Sequence, residues 1–159
     1  MKELLEMLEK GNAHSVDELA AMLQRPKAEV AAQLKELEEQ KIIVKYQTII
    51  NWDKAGVDKV TAFIGVRTTP QREVGFDAIA ERIYRFPEVR DLYLMSGNYD
   101  LIVLVEGDSL KDIARFVYDK LATIDGVIST SSHFVLKKYK QSGVVLDGKE
   151  VDCRLVISP

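Results

Sequence analysis

The order of predicted secondary structure after Lys59 is the feature that most restricts the fold of this chain. The apolar pattern predicts a strand, a helix, two strands joined by a short turn, a second helix and a last strand. These elements cover residues 60–66, 73–86, 89–95, 99–105, 110–124 and 127–139. The βαββαβ order is that of a ferredoxin-like α+β domain, in which both helices lie on one face of an antiparallel sheet.

The predicted sheet has a second face for which the chain offers no helix. Residues 101–105 (LIVLV) are apolar without alternation, which is typical of a strand buried on both sides. Phe63 alternates with Ile64 and adds an aromatic side chain to that second face. We therefore expect a second copy of the chain to cover the face, so that the protein is a homodimer held through its sheets.

The first fifty residues predict three short helices. Gly11-Asn12 ends the first, Ser15 and Glu18 form a capping box for the second, and Pro26 suits the first turn of the third. The tight connection between the second and third helices has the spacing of a helix-turn-helix, and residues 42–49 predict a short strand or wing. The apolar positions of the three helices are Leu4, Leu5 and Leu8; Val16, Leu19, Ala20 and Leu23; and Val30, Leu34 and Leu37.

These patterns divide the chain into four segments. We expect a helix-turn-helix domain over residues 1–50, a linker over 51–58, the ferredoxin-like domain over 59–140 and a tail over 141–159. In the tail, Asp147-Gly148 between two apolar runs predicts a hairpin. A lone hairpin is marginally stable in water, so we expect it to pack on its own domain or on a partner.

Composition excludes several classes of function. The chain has 22 basic and 25 acidic residues, so it is not a polybasic protein that coats nucleic acid or membrane by charge alone. Cys153 is the single cysteine and allows no intramolecular disulfide, and two histidines, His14 and His133, are few for a metal centre. Because we find no signal sequence, membrane span, phosphate loop or triad spacing, we expect a cytoplasmic protein that is not an enzyme and uses no cofactor.

The chain resembles the Lrp/AsnC (feast/famine) family of transcriptional regulators along nearly its whole length. The match comprises the helix-turn-helix region 15–51, the first strand AFIGVRTTP, the segment VRDLYLMSGNYDLIVLVEG with its Gly-x-Tyr-Asp turn, and the last strand STSSHFVLKKYK. The resemblance implies a DNA-binding dimer that assembles further, often into rings of four dimers. It also implies that an amino acid or similar metabolite binds where sensing modules meet.

The third helix of the helix-turn-helix departs from the family pattern of paired arginines. Ala32 and Gln33 occupy the paired positions and Glu36 a later basic one, and residues 1–50 carry a net charge of −2. Since duplex DNA is bound largely through its phosphates, binding has to rely on a few local cations. The candidate DNA-binding residues are Arg25, Lys27, Ala28, Gln33, Lys35 and Lys45, with Lys41 as a further cation. For Arg25, Lys27 and Gln33 the alternative is an ordinary surface residue without a role in binding.

Two segments are candidates for binding a small zwitterionic effector. Asp100 can pair with an ammonium group, while backbone N–H groups near the turn can bind a carboxylate, although Gly and Asn are also what a tight turn requires. Hydroxyls in the last strand can bind the effector or pair across strands. We expect a neighbouring dimer to bring the two segments together. The candidate ligand-binding residues are Gly97, Asn98, Tyr99 and Asp100, and Thr130, Ser131 and Ser132.

Two alternatives to an effector-controlled DNA-binding regulator stay open. The chain can be a sensing or oligomerisation protein of the same fold whose DNA binding is weak or depends on a partner regulator. Siroheme decarboxylases are similar to this family in architecture and use histidine chemistry around a tetrapyrrole. Only two histidines are present here and none lies in residues 97–100, which disfavours that enzyme class.

Overall fold

The computed structural model describes residues 1–10, 14–69 and 75–146. The chain forms two units by its internal contacts. Residues 1–50 group with residues 140–145, and residues 51–139 group with the segment that begins at Leu146. The predicted helix stop at Gly11-Asn12 and the predicted hairpin at Asp147-Gly148 lie outside the described residues.

The first unit contains three helices around one small core. Helix α1 is Lys2–Glu9, α2 is Val16–Leu23 and α3 is Lys27–Glu39. The predicted capping box is confirmed, because the Ser15 hydroxyl accepts the Glu18 N–H at 3.2 Å and the Glu18 carboxylate accepts the Ser15 N–H at 2.7 Å. The buried residues are Leu4, Leu19, Ala20, Val30, Leu34 and Leu37.

The connection between α2 and α3 is tight because one of its residues has the left-handed backbone conformation. Gln24 has a φ of 53°, and the N–H of Arg25 bonds to the carbonyl of Ala20 at 3.0 Å. Pro26 is the N-cap of α3 and precedes its first turn, one position earlier than the sequence suggested. The connection between α2 and α3 therefore has the short length that a helix-turn-helix needs.

Residues 42–49 do not form the predicted strand. The N–H groups of Ile42 and Ile43 both bond to the carbonyl of Leu37, and no regular structure follows. Val44 is 84% exposed. A strand is stable only when another strand pairs with its backbone groups. Within the described residues no strand pairs with residues 42–49.

The second unit has the predicted ferredoxin-like topology. Its four strands are β1 (Val60–Thr68), β2 (Val89–Leu94), β3 (Leu101–Gly107) and β4 (Val127–Phe134), in the sheet order β2-β3-β1-β4. Every neighbouring pair is antiparallel. Helix α4 is Asp77–Tyr84, and α5 (Leu110–Phe116) continues into a π-helical turn over Val117–Leu121.

Helices α4 and α5 share one core with one face of the sheet. The buried cluster consists of Ala62, Ile64, Val66, Ile79, Ile83, Leu101, Val103, Val105, Ile113, Phe116 and Leu121. Along β3 burial alternates, with Ile102 and Leu104 only half-buried, so the strand is not covered on both sides within one chain. Phe63 is 42% exposed on the same uncovered side. The predicted partner copy for this face stays a prediction.

The start of the third strand and the end of the fourth differ from the sequence prediction. The third strand begins at Leu101 and not at Tyr99, whose ring instead packs on the backbone of Gly65. The fourth strand ends at Phe134 and not at Tyr139. Beyond it a short hairpin, β5 (Lys140–Gln141) and β6 (Val144–Val145), turns at Ser142 and Gly143, both with positive φ. This hairpin was not predicted, because its turn chemistry is Ser-Gly and its strands are only two residues long.

Candidate functional site

The first candidate surface is the start of α3, where the predicted DNA-binding residues lie. Ala28 and Lys27 are exposed in the first turn of the helix, and Lys35 is exposed two turns later. Gln33 is half-buried. The N-terminal end of such a helix is the part that reaches base edges and phosphates when a helix-turn-helix docks in the major groove.

Arg25, which lies just before α3, is held by two side chains of that helix. Its Nε and Nη2 donate to Oε1 of Glu29 at 3.1 and 2.6 Å, and its Nη1 donates to Oε1 of Gln33 at 2.8 Å. The two predicted readers of DNA, Arg25 and Gln33, are therefore bonded to each other. Either can contact DNA only after this local arrangement has been broken or shared.

The lysines of the surface differ in whether a carboxylate neutralises them. Lys27 forms an ion pair with Asp17 of α2 at 2.8 Å, and Lys35 lies 3.8 Å from Glu39. Lys45 forms no ion pair with any described residue. Exposed pairs of this kind contribute about 0–1 kcal/mol, so a phosphate can displace the carboxylate.

The second candidate surface is the side of the sheet opposite α4 and α5, which we call the open face; it is exposed at Phe63 and Tyr93 but buried at Thr61. Strand register and alternation assign its residues, because directly paired residues share a face. They are Thr61, Phe63, Gly65 and Arg67 of β1; Asp91 and Tyr93 of β2; Ile102, Leu104 and Glu106 of β3; and Ser129, Ser131 and His133 of β4.

Tyr99 connects the two predicted ligand-binding segments within one chain. Its ring lies over Gly65 in the middle of the sheet, and its centroid is 6.3 Å from that of His133, in an edge-on arrangement. His133 in turn lies 3.2 Å from the hydroxyl of Ser131, measured from Nε2. A neighbouring dimer was expected to bring the turn before β3 and the hydroxyls of β4 together, whereas within one chain β1 alone separates them.

The three hydroxyl residues of β4 do not share a face. Ser131 pairs with Gly65 and lies on the open face beside Tyr99. Thr130 pairs with Val66 and Ser132 with Ile64, so both side chains project toward the helical side of the sheet. Of the three, only Ser131 lies on the face that Tyr99 covers.

Asp100 has a structural partner inside its own chain. Its Oδ2 accepts the N–H of Thr68 at 2.7 Å, and its own N–H bonds to the carbonyl of Val66 at 3.0 Å. Gly97 adopts a φ of 138°, which requires glycine. An ionised carboxylate has about four acceptor positions, so Asp100 can hold Thr68 and still accept from a ligand.

Sequence reasoning missed two polar residues at this site. Arg67 donates from Nε to the carbonyl of Asn98 at 3.0 Å, and Ser129 is its register partner in β4. Period-two alternation from Phe63 would have placed Arg67 on the open face. A glycine inside a strand also marks a close approach, here that of Tyr99 to Gly65.

Metal sites and membrane-spanning helices were looked for in the part of the chain that the structure describes. Among the described residues, no three His, Cys, Asp or Glu side chains come together in a way that could hold a metal ion. None of the helices in the described ranges has the length and apolar character needed to cross a bilayer.

Similarity to known proteins agrees with this arrangement. Residues 61–145 match the Lrp/AsnC ligand binding domain. The chain is 49% identical over 158 residues to the uncharacterised HTH-type transcriptional regulator YugG of Bacillus subtilis, covering 99% of this chain and 95% of that protein. It is 33% identical to the HTH-type transcriptional regulator LrpA of Pyrococcus horikoshii, covering 87% of this chain and 96% of the relative.

Solved structures share the fold at lower identity. A transcriptional regulator of Neisseria meningitidis in complex with L-Met superposes with a TM-score of 0.70 at 23% identity, over 91% of this chain and 93% of that one. A feast or famine regulatory protein of M. tuberculosis, complexed with L-methionine, gives a TM-score of 0.70 at 21% identity, over 88% and 92%.

A helix-turn-helix unit followed by a ferredoxin-like ligand-binding domain defines a class of effector-responsive transcriptional regulators. This chain belongs to the Lrp/AsnC family of that class. The predicted family, the predicted fold and the predicted function in transcription regulation are thereby confirmed.

Proposed function

We propose that the chain is a cytoplasmic regulator that binds duplex DNA through α2 and α3 and binds an amino acid beside the 97–100 turn. The observation that supports DNA binding is the exposed start of α3, which follows the tight turn at Gln24. Arg25, Lys27, Ala28, Gln33 and Lys35 lie on this helix or directly before it, and Lys45 lies beyond it.

The effector site is proposed where the 97–100 turn meets the open face. Two solved structures with the same fold contain L-methionine, which makes an α-amino acid the first class to test. Asp100 supplies a carboxylate for the ammonium group, Gly97 and Asn98 supply turn backbone, and Tyr99 and Ser131 form the adjoining wall. Thr130 and Ser132 are not included in this site because their side chains project to the other side of the sheet.

The apolar part of the open face, apart from the end beside the 97–100 turn, is proposed as the homodimer interface. Phe63, Ile102 and Leu104 form an apolar strip at its centre, with Tyr93 beside them on β2. Phe63 is 42% and Tyr93 52% exposed in the single chain. Full burial of an exposed side chain of this size is worth about 1.5–3 kcal/mol, and about half of that remains to be gained at each of these residues, which favours two sheets packed face to face. A higher oligomer can then form from these dimers.

A second candidate function keeps the fold but reduces the role of DNA. Glu29, Asp17 and Glu39 already neutralise Arg25, Lys27 and Lys35, and the surface of α3 carries more carboxylates than ammonium groups. Since binding strength depends on phosphates neutralised by free cations, DNA binding can be weak enough to need a partner regulator. The protein would then act through heteromeric assembly.

Selection from a random duplex library separates the two functions. The full-length protein is incubated with the library, bound duplexes are amplified, and the enriched sequence is measured by fluorescence anisotropy against a scrambled duplex. Enrichment of one sequence, and a change in its affinity when one of the twenty amino acids is added, supports the main proposal. Equal, weak binding to both duplexes contradicts it and favours the partner-dependent function.

A further inference from the structure

Arg67 differs from most arginines of the described chain in having no carboxylate partner. Four arginines form ion pairs: Arg25 with Glu29, Arg82 with Asp125, Arg85 with Glu81 and Arg90 with Glu106. Arg67 forms no such pair with any residue in the described ranges, although Asp100 lies on the turn that it contacts. Its charge is therefore available to an anion from outside the chain.

The guanidinium of Arg67 is also held in position. Its Nε donates to the carbonyl of Asn98 at 3.0 Å, which fixes the plane of the group against the 97–100 turn. A guanidinium has five N–H donors, so the two Nη nitrogens keep their donors for a ligand. Because the group is anchored at Nε, little side-chain freedom is lost when the remaining donors bind a carboxylate.

The surroundings of Arg67 suit one end of a zwitterion. Along β1 the next residue on the same face is Gly65, over which the Tyr99 ring lies, and across the sheet its register partner is Ser129. The end of β1 and the turn that it contacts therefore present a cation at Arg67, an anion at Asp100 and an aromatic wall at Tyr99. Two fixed opposite charges beside an aromatic ring complement an α-amino acid better than a simple amine or a simple acid.

We propose that Arg67 binds the carboxylate of the effector and so restricts effectors to compounds that carry one. This assignment rests on the proposed effector site at the 97–100 turn and adds to it the group that recognises the anion. It replaces the turn N–H groups, which the sequence suggested, as the main partner of the carboxylate. Arg67 thereby determines the class of effector, and Asp100 the requirement for an ammonium group.

The test compares binding of an acid with binding of its uncharged analogue. Isothermal titration of the full-length protein with the twenty amino acids identifies the tightest binder, and the primary amide of that amino acid serves as the analogue without a carboxylate. Arg67→Gln should raise the Kd of the acid by about ten- to a hundredfold, the loss expected for one charge-assisted contact. The Kd of Arg67→Lys, which keeps the charge but not the paired donors, should lie between those of the wild type and Arg67→Gln.

Controls separate this inference from the proposed site itself. Arg115→Gln removes another exposed arginine of the same unit that forms no ion pair among the described residues, and it should leave the Kd unchanged. The amide should bind the wild type weakly and bind Arg67→Gln equally well. If Asp100→Asn weakens the acid but Arg67→Gln and Arg67→Lys do not, the turn binds the effector and the role of Arg67 is wrong. If no amino acid binds the wild type, both proposals fail.

Discussion

The ring of Tyr99 lies directly on the backbone of Gly65. Its Cγ, Cδ1 and Cδ2 atoms lie 2.7 to 2.8 Å from the point that a Cβ at Gly65 would occupy. These atoms are at the root of the ring and cannot swing aside as the end of a flexible side chain could. Gly65 is therefore required by a close approach, and its own φ is not in the left-handed region.

Replacing Gly65 with alanine should destabilise the second unit. The added methyl overlaps the Tyr99 ring, and overpacking of this kind costs about 1–3 kcal/mol. Urea denaturation of Gly65→Ala should show that loss. In a Tyr99→Ala background the same change should cost much less, because the overlapping ring has been removed. Equal costs in the two backgrounds would show that the contact does not constrain Gly65.

Phe63→Glu should dissociate the protein without unfolding it. Phe63 is 42% exposed in the single chain, so a carboxylate there stays hydrated in the monomer but would be buried in a face-to-face dimer. Light scattering should give at least twice 17.9 kDa for the wild type and 17.9 kDa for the variant. Tyr118→Glu, at an aromatic side chain 79% exposed on the π-helical turn, should keep the wild-type mass.

A dimeric Phe63→Glu variant, or a monomeric wild type at micromolar concentration, would contradict the proposed interface. Circular dichroism of the variant distinguishes dissociation from unfolding. Retention of the helical signal together with the monomer mass is the expected outcome.

Local patterns in the sequence predicted the elements of the fold well. The capping box of Ser15 and Glu18 involves residues three apart, and the strand order follows from one topology rule. The predicted strand over residues 42–49 failed because β-structure depends on a partner, which apolar residues alone do not supply. The start of the third strand failed because Tyr99 makes a contact with Gly65, 34 positions earlier in the chain, that no local pattern contains.

The candidate effector site was less predictable for the same reason. Alternation could have separated Ser131 from Thr130 and Ser132, since it needs only the strand itself. The bond between Asp100 and Thr68 joins residues 32 positions apart. Tyr99 and His133, which lie close together across β1, are 34 positions apart. Such pairings depend on the register between strands, which is fixed by the packed sheet and not by the composition of either segment.

Lys27 should contribute to DNA affinity without determining sequence. Lys27→Ala should weaken binding to every duplex and lower the salt dependence by about one phosphate contact. Asp17→Asn should have the opposite effect and tighten binding by up to about fivefold, because it frees Lys27 from its ion pair. Fluorescence anisotropy at several salt concentrations measures both. Lys2→Ala, on α1, is the matched control, and an equal loss in that variant would remove Lys27 from the interface.

The stabilisation that the capping box gives to the first unit should be lost in acid. The Ser15 backbone and hydroxyl hydrogen bonds hold the pKa of Glu18 below its ordinary value of 4.5. Because the folded-state pKa is lowered, this stabilisation is present above that ordinary value and is lost as the pH falls through the folded pKa. Glu18→Gln keeps an acceptor for the Ser15 N–H but does not titrate.

The comparison of wild type with Glu18→Gln isolates that contribution. Urea denaturation from neutral pH down to about pH 3 should show the wild type losing more stability than the variant below its ordinary carboxyl pKa. An NMR titration of the Glu18 carboxyl carbon should have its midpoint below 4.5. Parallel stability curves for the two proteins would show that the box has no linkage to pH.

Asp100 should have two separable roles, one in stability and one in effector binding. Its Oδ2 accepts the N–H of Thr68, a residue only 5% exposed. Asp100→Ala leaves that buried N–H without its acceptor, which should cost about 1–3 kcal/mol of folding free energy. Asp100→Asn keeps a side-chain oxygen in the same place, so it should cost less stability while still removing the negative charge.

Effector binding should depend on the negative charge of residue 100, whereas stability should depend on its oxygen acceptor for the N–H of Thr68. If Asp100 binds the ammonium group, Asp100→Asn should lose about one to two decades of affinity for the amino acid that binds the wild type, nearly as much as Asp100→Ala. Thermal unfolding without ligand and calorimetry with ligand measure the two effects on the same samples. An Asp100→Asn variant that binds as tightly as the wild type would leave Asp100 a structural residue of the turn, since its bond to Thr68 would then account for everything that it does.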